Sequence, residues 1–188
     1  MNEDLFKHNR KSFMELGQIY FWTATINKWQ KLLQKDVYKE IIIGSLRHLT
    51  EKGKIDVFGF VIMPNHIHLI WRINENNGKE TSQASFLKYT AHEFKKLLSQ
   101  HKHENLGLSD FAVEASNKSY EFWQRDALAI HLYTQKVAYQ KLDYIHENPV
   151  NERWCLVKEP RDYFYSTASY YEEGVNNFDF IKDLRNEF

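Results

Sequence analysis

Two histidines, His66 and His68, stand two residues apart in the stretch VIMPNHIH, directly after a proline-asparagine turn. Alternate side chains of a strand point the same way, so the two imidazoles share one face, with Cβ atoms roughly 6 to 7 Å apart. Neutral imidazoles at that spacing can converge on one divalent ion, and added oxygen ligands make room for Mg²⁺ or Mn²⁺. Half-exposed strand histidines with no ligand role fit the same pattern. A metal site also needs a third donor and, to be catalytic, a nucleophile. The stretch KLDYIHENPV holds Tyr144 and Asn148, four apart and therefore on one helix face. Tyr144 can look into a site while Ile145 anchors the helix in the core, and Asn148 can offer a carbonyl oxygen to an ion. The same positions also suit a boundary tyrosine and a residue that ends a helix before Pro149.

The elements that must hold these residues are legible in outline. GQIYFWTATI, Gly17 to Ile26, is rich in β-branched and aromatic residues and reads as a strand. A helical stripe of Val37, Ile41, Gly44, Leu46 and Leu49 predicts a helix over 36–50. KIDVFGFVIM follows, with Ile55, Val57, Gly59, Val61 and Met63 on one face and Phe58, Phe60 and Ile62 on the other, which suits a central strand. Pro64 and Asn65 turn the chain into HIHLIWRI, whose Ile67, Leu69, Trp71 and Ile73 oppose His66, His68, Ile70 and Arg72. The apolar side is expected to pack on helices, leaving the histidine side open. A second helix is expected over 85–103, a loop over 104–119, and an extended stretch over 120–133. Thr134 is the expected N-cap of a last helix that Pro149 stops. Strands and helices interleave around a central hairpin, which predicts an α+β, ferredoxin-like antiparallel sheet backed by helices on one face, with the site on the open face.

Composition narrows the function. At 188 residues the chain fits one domain with flanking segments, and 25 basic side chains balance 25 acidic ones. Zero net charge argues against coating DNA by bulk charge but leaves room for a local basic groove. Cys155 is the single cysteine, so neither an intrachain disulfide nor a cysteine-rich zinc site is possible. The polar first residues do not read as a signal peptide, and no run approaches the ~18 apolar residues of a membrane span. A cytoplasmic protein without a membrane partner is the expectation. The division expected is an arm over 1–16, a catalytic domain over 17–150, and an extension over 151–188 packed on or near it.

The stretches VFGFVIMPNHIHLIW, FWQRDALAIHLY, KLDYIHENPV and EPRDYFYSTASYY, in that order, resemble the REP-associated tyrosine transposases, which belong to the single-tyrosine His-hydrophobic-His transposases. The resemblance covers most of residues 17–171. It implies that His66 and His68 hold a divalent ion, Mg²⁺ or Mn²⁺, and that Tyr144 is the nucleophile. It also implies that Asn148 stands where related enzymes carry a polar third ligand. The implied reaction is cleavage and rejoining of single-stranded or hairpin DNA through a 5′-phosphotyrosine. NPVNERWCLV departs from the family pattern, with Glu152 and Trp154 where smaller or more basic residues are often found.

DNA contacts are expected from Lys88, Lys95 and Lys96 on the second helix and from Arg10 and Lys11 on the arm. Trp123, Tyr120 or Tyr165 are expected to stack on unpaired bases. The lysines equally suit a solvated helix face. A monomer or homodimer fits the sequence. A catalytically idle hairpin-binding module of the same fold is the alternative, and a structural metal-binding domain a further one.

Overall fold

The computed structural model describes residues 14–100, 106–115, 118–125 and 127–188. The chain runs through β1 (Ile19–Thr25), α1 (Asp36–Glu51), β2 (Ile55–Met63), β3 (His66–Ile73) and α2 (Ser82–Gln100). It continues through β4 (Ala112–Ala115), β5 (Lys118–Tyr120), β6 (Leu128–His131), α3 (Gln135–Glu147) and α4 (Ala168–Glu173). Four strands form one antiparallel sheet in the order β2-β3-β1-β6, and β4 pairs with β5 in a separate ribbon. The fold is α+β, an antiparallel sheet backed by helices.

Alternation along the strands builds two cores, one on each face of the sheet. Trp22, Ala24, Leu69 and Trp71 pack with Tyr38, Ile42 and Leu46 of α1 and with Phe86 and Phe94 of α2. On the other face Phe21, Phe58, Val61 and Ile70 pack with Ala138, Leu142 and Ile145 of α3. The histidine face is therefore not bare. The apolar stripe of α3 covers part of it, and the site lies beside that helix.

Three local expectations are corrected. A bulge between Val57 and Gly59 shifts the register of β2, so Ile55 and Val57 join Phe60 and Ile62 on the α1 side, while Phe58 joins Val61 and Met63. The extra residue of a bulge flips the side-chain alternation, which a strict period of two cannot foresee. Helix α2 starts at Ser82, earlier than periodicity placed it, because Thr81 Oγ1 accepts from Ala84 N at 3.1 Å and caps the first turn. The expected loop over 104–119 contains the β4–β5 ribbon, beside which Phe111 stacks on Phe122 with ring centroids 4.6 Å apart.

The segment after Asn151 completes the outer edge of β2. Ile62 N donates to Tyr165 O, Thr167 N to Phe60 O, and Lys182 N to Val57 O. Tyr165, Phe178 and Phe180 enter the α1 side of the core. Among the described residues no helix is long and apolar enough to cross a membrane.

Candidate active site

The register of β3 creates the histidine pair. His68 lies opposite Thr23 of β1 and Val61 of β2, and His66 opposite Thr25 and Met63. Their ring centroids are 4.7 Å apart, and both are buried. His66 Nδ1 is 2.7 Å from Asn65 Oδ1, and His68 Nδ1 is 2.7 Å from Thr23 Oγ1. Asn65 Nδ2 donates to the Trp29 carbonyl at 3.3 Å, which turns Oδ1 toward His66. An amide oxygen only accepts, so neutral His66 carries its proton on Nδ1 and keeps a lone pair on Nε2. Fixing one ring nitrogen so that the other is free is the arrangement of a metal-ligating histidine.

Electrostatics keeps both rings neutral. Burial pushes His66 down to about 4, the nearby Arg153 charge adds to this, and a hydrogen bond with Asn148 opposes it. Burial holds His68 well below the ordinary histidine range, helped by His66 and by Lys141. The lone pairs a divalent cation needs are thus available across neutral pH.

Helix α3 brings the tyrosine. Thr134 caps it, its Oγ1 accepting from Val137 N at 3.3 Å, as the sequence predicts. Leu142 and Ile145 seat the helix on the sheet, and Tyr144 turns toward the histidines. Its ring lies 5.4 Å from His68 and 6.0 Å from Phe21, yet it remains half exposed at 50%. Lys141, one turn earlier, holds its ammonium 5.5 Å from the Tyr144 ring and 5.0 Å from Phe21. Asn148 Nδ2 donates to the Tyr144 carbonyl at 2.8 Å, which leaves Oδ1 as its acceptor.

His66, His68, Tyr144 and Asn148 line one cleft of about 260 Å³. Thr23, Thr25, Trp29, Asn151, Arg153 and Trp154 complete its walls. Among the described residues no group of three or more His, Cys, Asp and Glu side chains could hold a metal ion. The donors that the cleft offers a divalent ion would be two imidazoles and one amide oxygen. That set fits Mg²⁺ or Mn²⁺ when water and a phosphate complete the shell.

The cleft walls also contain residues that the sequence reading did not single out for the site. Arg153 lies 5.6 Å from the Trp154 ring centroid and 6.0 Å from that of Trp29. Trp154 lies 5.9 Å from His66, and Lys31 reaches 6.0 Å from the Trp154 ring. The departure of Glu152 and Trp154 from the family pattern was the available signal for this wall. Trp29 gave none, because a tryptophan in a short polar connection carries no periodicity. Its backbone is left-handed at φ 57, after Lys28 at φ 54. Each such non-glycine residue costs on the order of 1–3 kcal/mol, and such strain gathers beside functional sites.

The expected DNA-contact residues are not gathered here. Trp123 is 7% exposed, packs against Phe86 and Phe94, and donates from Nε1 to Thr90 Oγ1 at 2.9 Å. It is a core residue and offers no face to a base. Tyr165 is buried and donates to Glu40 at 2.8 Å. Lys88, Lys95 and Lys96 lie on α2, which backs the far face of the sheet from the histidines. Lys88 pairs with Glu80 at 2.6 Å, Lys96 with Glu93 at 3.8 Å, and Lys95 sits over Tyr120. Arg10 and Lys11 fall outside the described residues.

No protein-family model matches the chain, and no curated protein matches it in sequence. Among solved structures, the fold is similar to that of a REP-associated tyrosine transposase bound to a REP hairpin. That likeness has a TM-score of 0.59 and 20% identity, and it covers 92% of this chain and 90% of the other.

Proposed function

We propose that this protein is a tyrosine transposase, a metal-dependent enzyme that cleaves and rejoins single-stranded DNA at hairpin-forming repeats. The observation that carries this reading is the convergence of two oriented, neutral imidazoles and a half-exposed tyrosine on one cleft. The similar fold of a transposase solved with a REP hairpin supports the choice of DNA as substrate.

In this reading Tyr144 Oη attacks a backbone phosphorus. The Oη–P bond forms, the P–O3′ bond breaks, and the products are a 5′-phosphotyrosine and a free 3′-hydroxyl. The phenol gives up one proton and the leaving oxygen takes one up, so the step is balanced. Attack of a 3′-hydroxyl on the phosphotyrosine reverses it and rejoins the strand, with no nucleotide triphosphate needed.

A phenol with an ordinary pKa near 10 is a weak nucleophile at neutral pH. Lys141, its ammonium 5.5 Å from the Tyr144 ring, would offset negative charge that builds in the transition state, and Arg153 attracts the phosphate to the cleft. His66, His68 and Asn148 would hold a divalent ion, which when bound polarises the phosphate and offsets charge in the transition state. Thr23 and Asn65 keep the imidazoles turned to the cleft. The docking of α3 on the sheet holds the phenol in line, where an error of about 1 Å can cost on the order of 100-fold.

The test is a covalent protein–DNA adduct on a denaturing gel, using labelled single-stranded DNA with repeat hairpins and Mn²⁺ or Mg²⁺. An adduct is expected with the wild type and none with Tyr144→Phe. His66→Ala is expected to lower adduct formation at least 100-fold. Hairpin binding with no adduct under any metal would instead identify a catalytically idle DNA-binding module. No binding at low salt would remove nucleic acid from the assignment altogether.

A further inference from the structure

Trp29 lines two concavities. One is the cleft with the histidines and Tyr144. The other is a cavity of about 590 Å³ walled by Gln30, Lys31, Leu32, Gln34 and Leu106, among others. That volume is within the range of small-ligand sites, about 300–1,000 Å³. Nothing in the chemistry of Tyr144 uses it.

The indole between the two is 54% exposed, unusual for the largest apolar side chain. The turn presents it there by a left-handed backbone that few side chains adopt. Hydrogen bonds on both sides of the ring hold the turn. Trp29 N donates to the Ile26 carbonyl at 3.0 Å, and the Trp29 carbonyl accepts from Asn65 Nδ2. The same Asn65 side chain orients His66, so one amide sets the position of the indole relative to the histidine pair. Arg153 lies over this ring and over that of Trp154, and Lys31, which also lines the cavity, reaches toward Trp154.

An exposed aromatic face with cations beside it and side-chain amides next to it suits an unpaired base. The ring stacks, the cations meet the backbone phosphates, and the amides of Gln30 and Gln34 reach base edges. We propose that this cavity is a nucleobase subsite. One unpaired base, close in the strand to the phosphate that Tyr144 attacks, stacks on Trp29 and sets where that strand is cut. This inference rests on the transposase reading of the neighbouring cleft and adds a specificity-determining residue to it.

The test uses Tyr144→Phe protein, which binds without cutting, and a hairpin oligonucleotide with single-stranded flanks. One abasic site is moved through the flank position by position, and affinity is measured by fluorescence anisotropy. Tyr144→Phe is expected to lose affinity sharply at one position. Tyr144→Phe with Trp29→Ala is expected to bind the intact oligonucleotide roughly 5- to 150-fold more weakly, the range for one base-aromatic stack. It should no longer respond to the abasic site at that position, and Trp29→Phe should restore the response. Alanine meets the same left-handed backbone as tryptophan, so the substitution adds no new strain there.

If the hairpin binds but Trp29→Ala leaves affinity and the abasic profile unchanged, the subsite is refuted while the transposase reading stands. The same holds if the two losses multiply independently. If no protein binds DNA at low salt, both fall together.

Discussion

Lys141 is the residue whose charge most directly faces the proposed nucleophile. At 5.5 Å from the Tyr144 ring it can offset negative charge that builds there in the transition state, and the same charge helps keep His68 neutral. Lys141→Met is therefore expected to slow adduct formation about tenfold in single-turnover assays, with DNA affinity changed less. Lys141→Arg should retain most of the rate. Equal losses in both variants, or a loss seen only in binding, would remove the charge from the mechanism. Asn65 acts differently, since it touches no reacting atom in this reading. It orients His66 on one side and holds the Trp29 turn on the other.

At the level of elements, the question is what lets α3 lie close enough to the sheet for Tyr144 to reach His68. Gly59 provides the space. A Cβ built there would lie 2.8 Å from Leu142 Cδ1 and 3.3 Å from Ile145 Cδ1. Leu142 can yield a little by rotating, but Ile145 sits in the same packed layer and is fully buried. A β-branched side chain there is expected to push the helix outward. Gly59→Val is expected to cost about 1–3 kcal/mol of stability, the range for overpacking. It should lower adduct formation further than that loss of folded protein explains, because the phenol shifts from the histidines. Urea titration and adduct assay on the folded fraction separate the two effects. Adduct formation unchanged in folded Gly59→Val would mean that the close approach is not what aligns Tyr144.

The whole molecule carries its buried histidines neutral, and that makes its stability depend on acid. His66 and His146 are pushed down to about 4, chiefly by burial, and His68 well below the usual value for the same reason. In the unfolded chain each would titrate near 6.5. Between those values the unfolded state binds more protons than the folded one, so stability is full above about pH 6.5 and falls as pH drops toward 4. His146 lies away from the cleft, 2.9 Å from Thr167 Oγ1 and 5.5 Å from the Tyr171 ring. His146→Gln is expected to reduce the stability lost between pH 7.5 and 4.5 by on the order of 2 kcal/mol, read from urea midpoints. An unchanged loss would mean that His146 is not held neutral. Thr167 also ties the late segment to β2, since its Oγ1 accepts from Phe60 N at 3.1 Å. Farther along, Arg72 bridges the buried Asp56 and Glu187 at 2.6 Å each. Burial pushes the Asp56 carboxyl up, and hydrogen bonds from Lys182 and Arg72 more than offset it, leaving it below its ordinary value.

The sequence by itself determined whatever depends on local chemistry. Period two put His66 and His68 on one face, and that holds because β3 has no bulge. Period 3.6, Thr134 and Pro149 set α3 and put Tyr144 and Asn148 one turn apart. The α+β order of elements followed from the same patterns. Contacts between distant segments were decided only by the tertiary structure. Trp123 has the composition of a stacking residue, yet Phe86, Phe94 and Thr90 enclose it. Trp29 and Trp154 are far apart in sequence, but both wall the histidine cleft. The lysines of α2 share a face of their helix, and the sheet separates that helix from the site. Gly59 was the one sequence signal of the β2 bulge, and the bulge decides which side of the sheet Phe58 joins. Burial and distance across the chain arise when the elements pack, so no single segment encodes them.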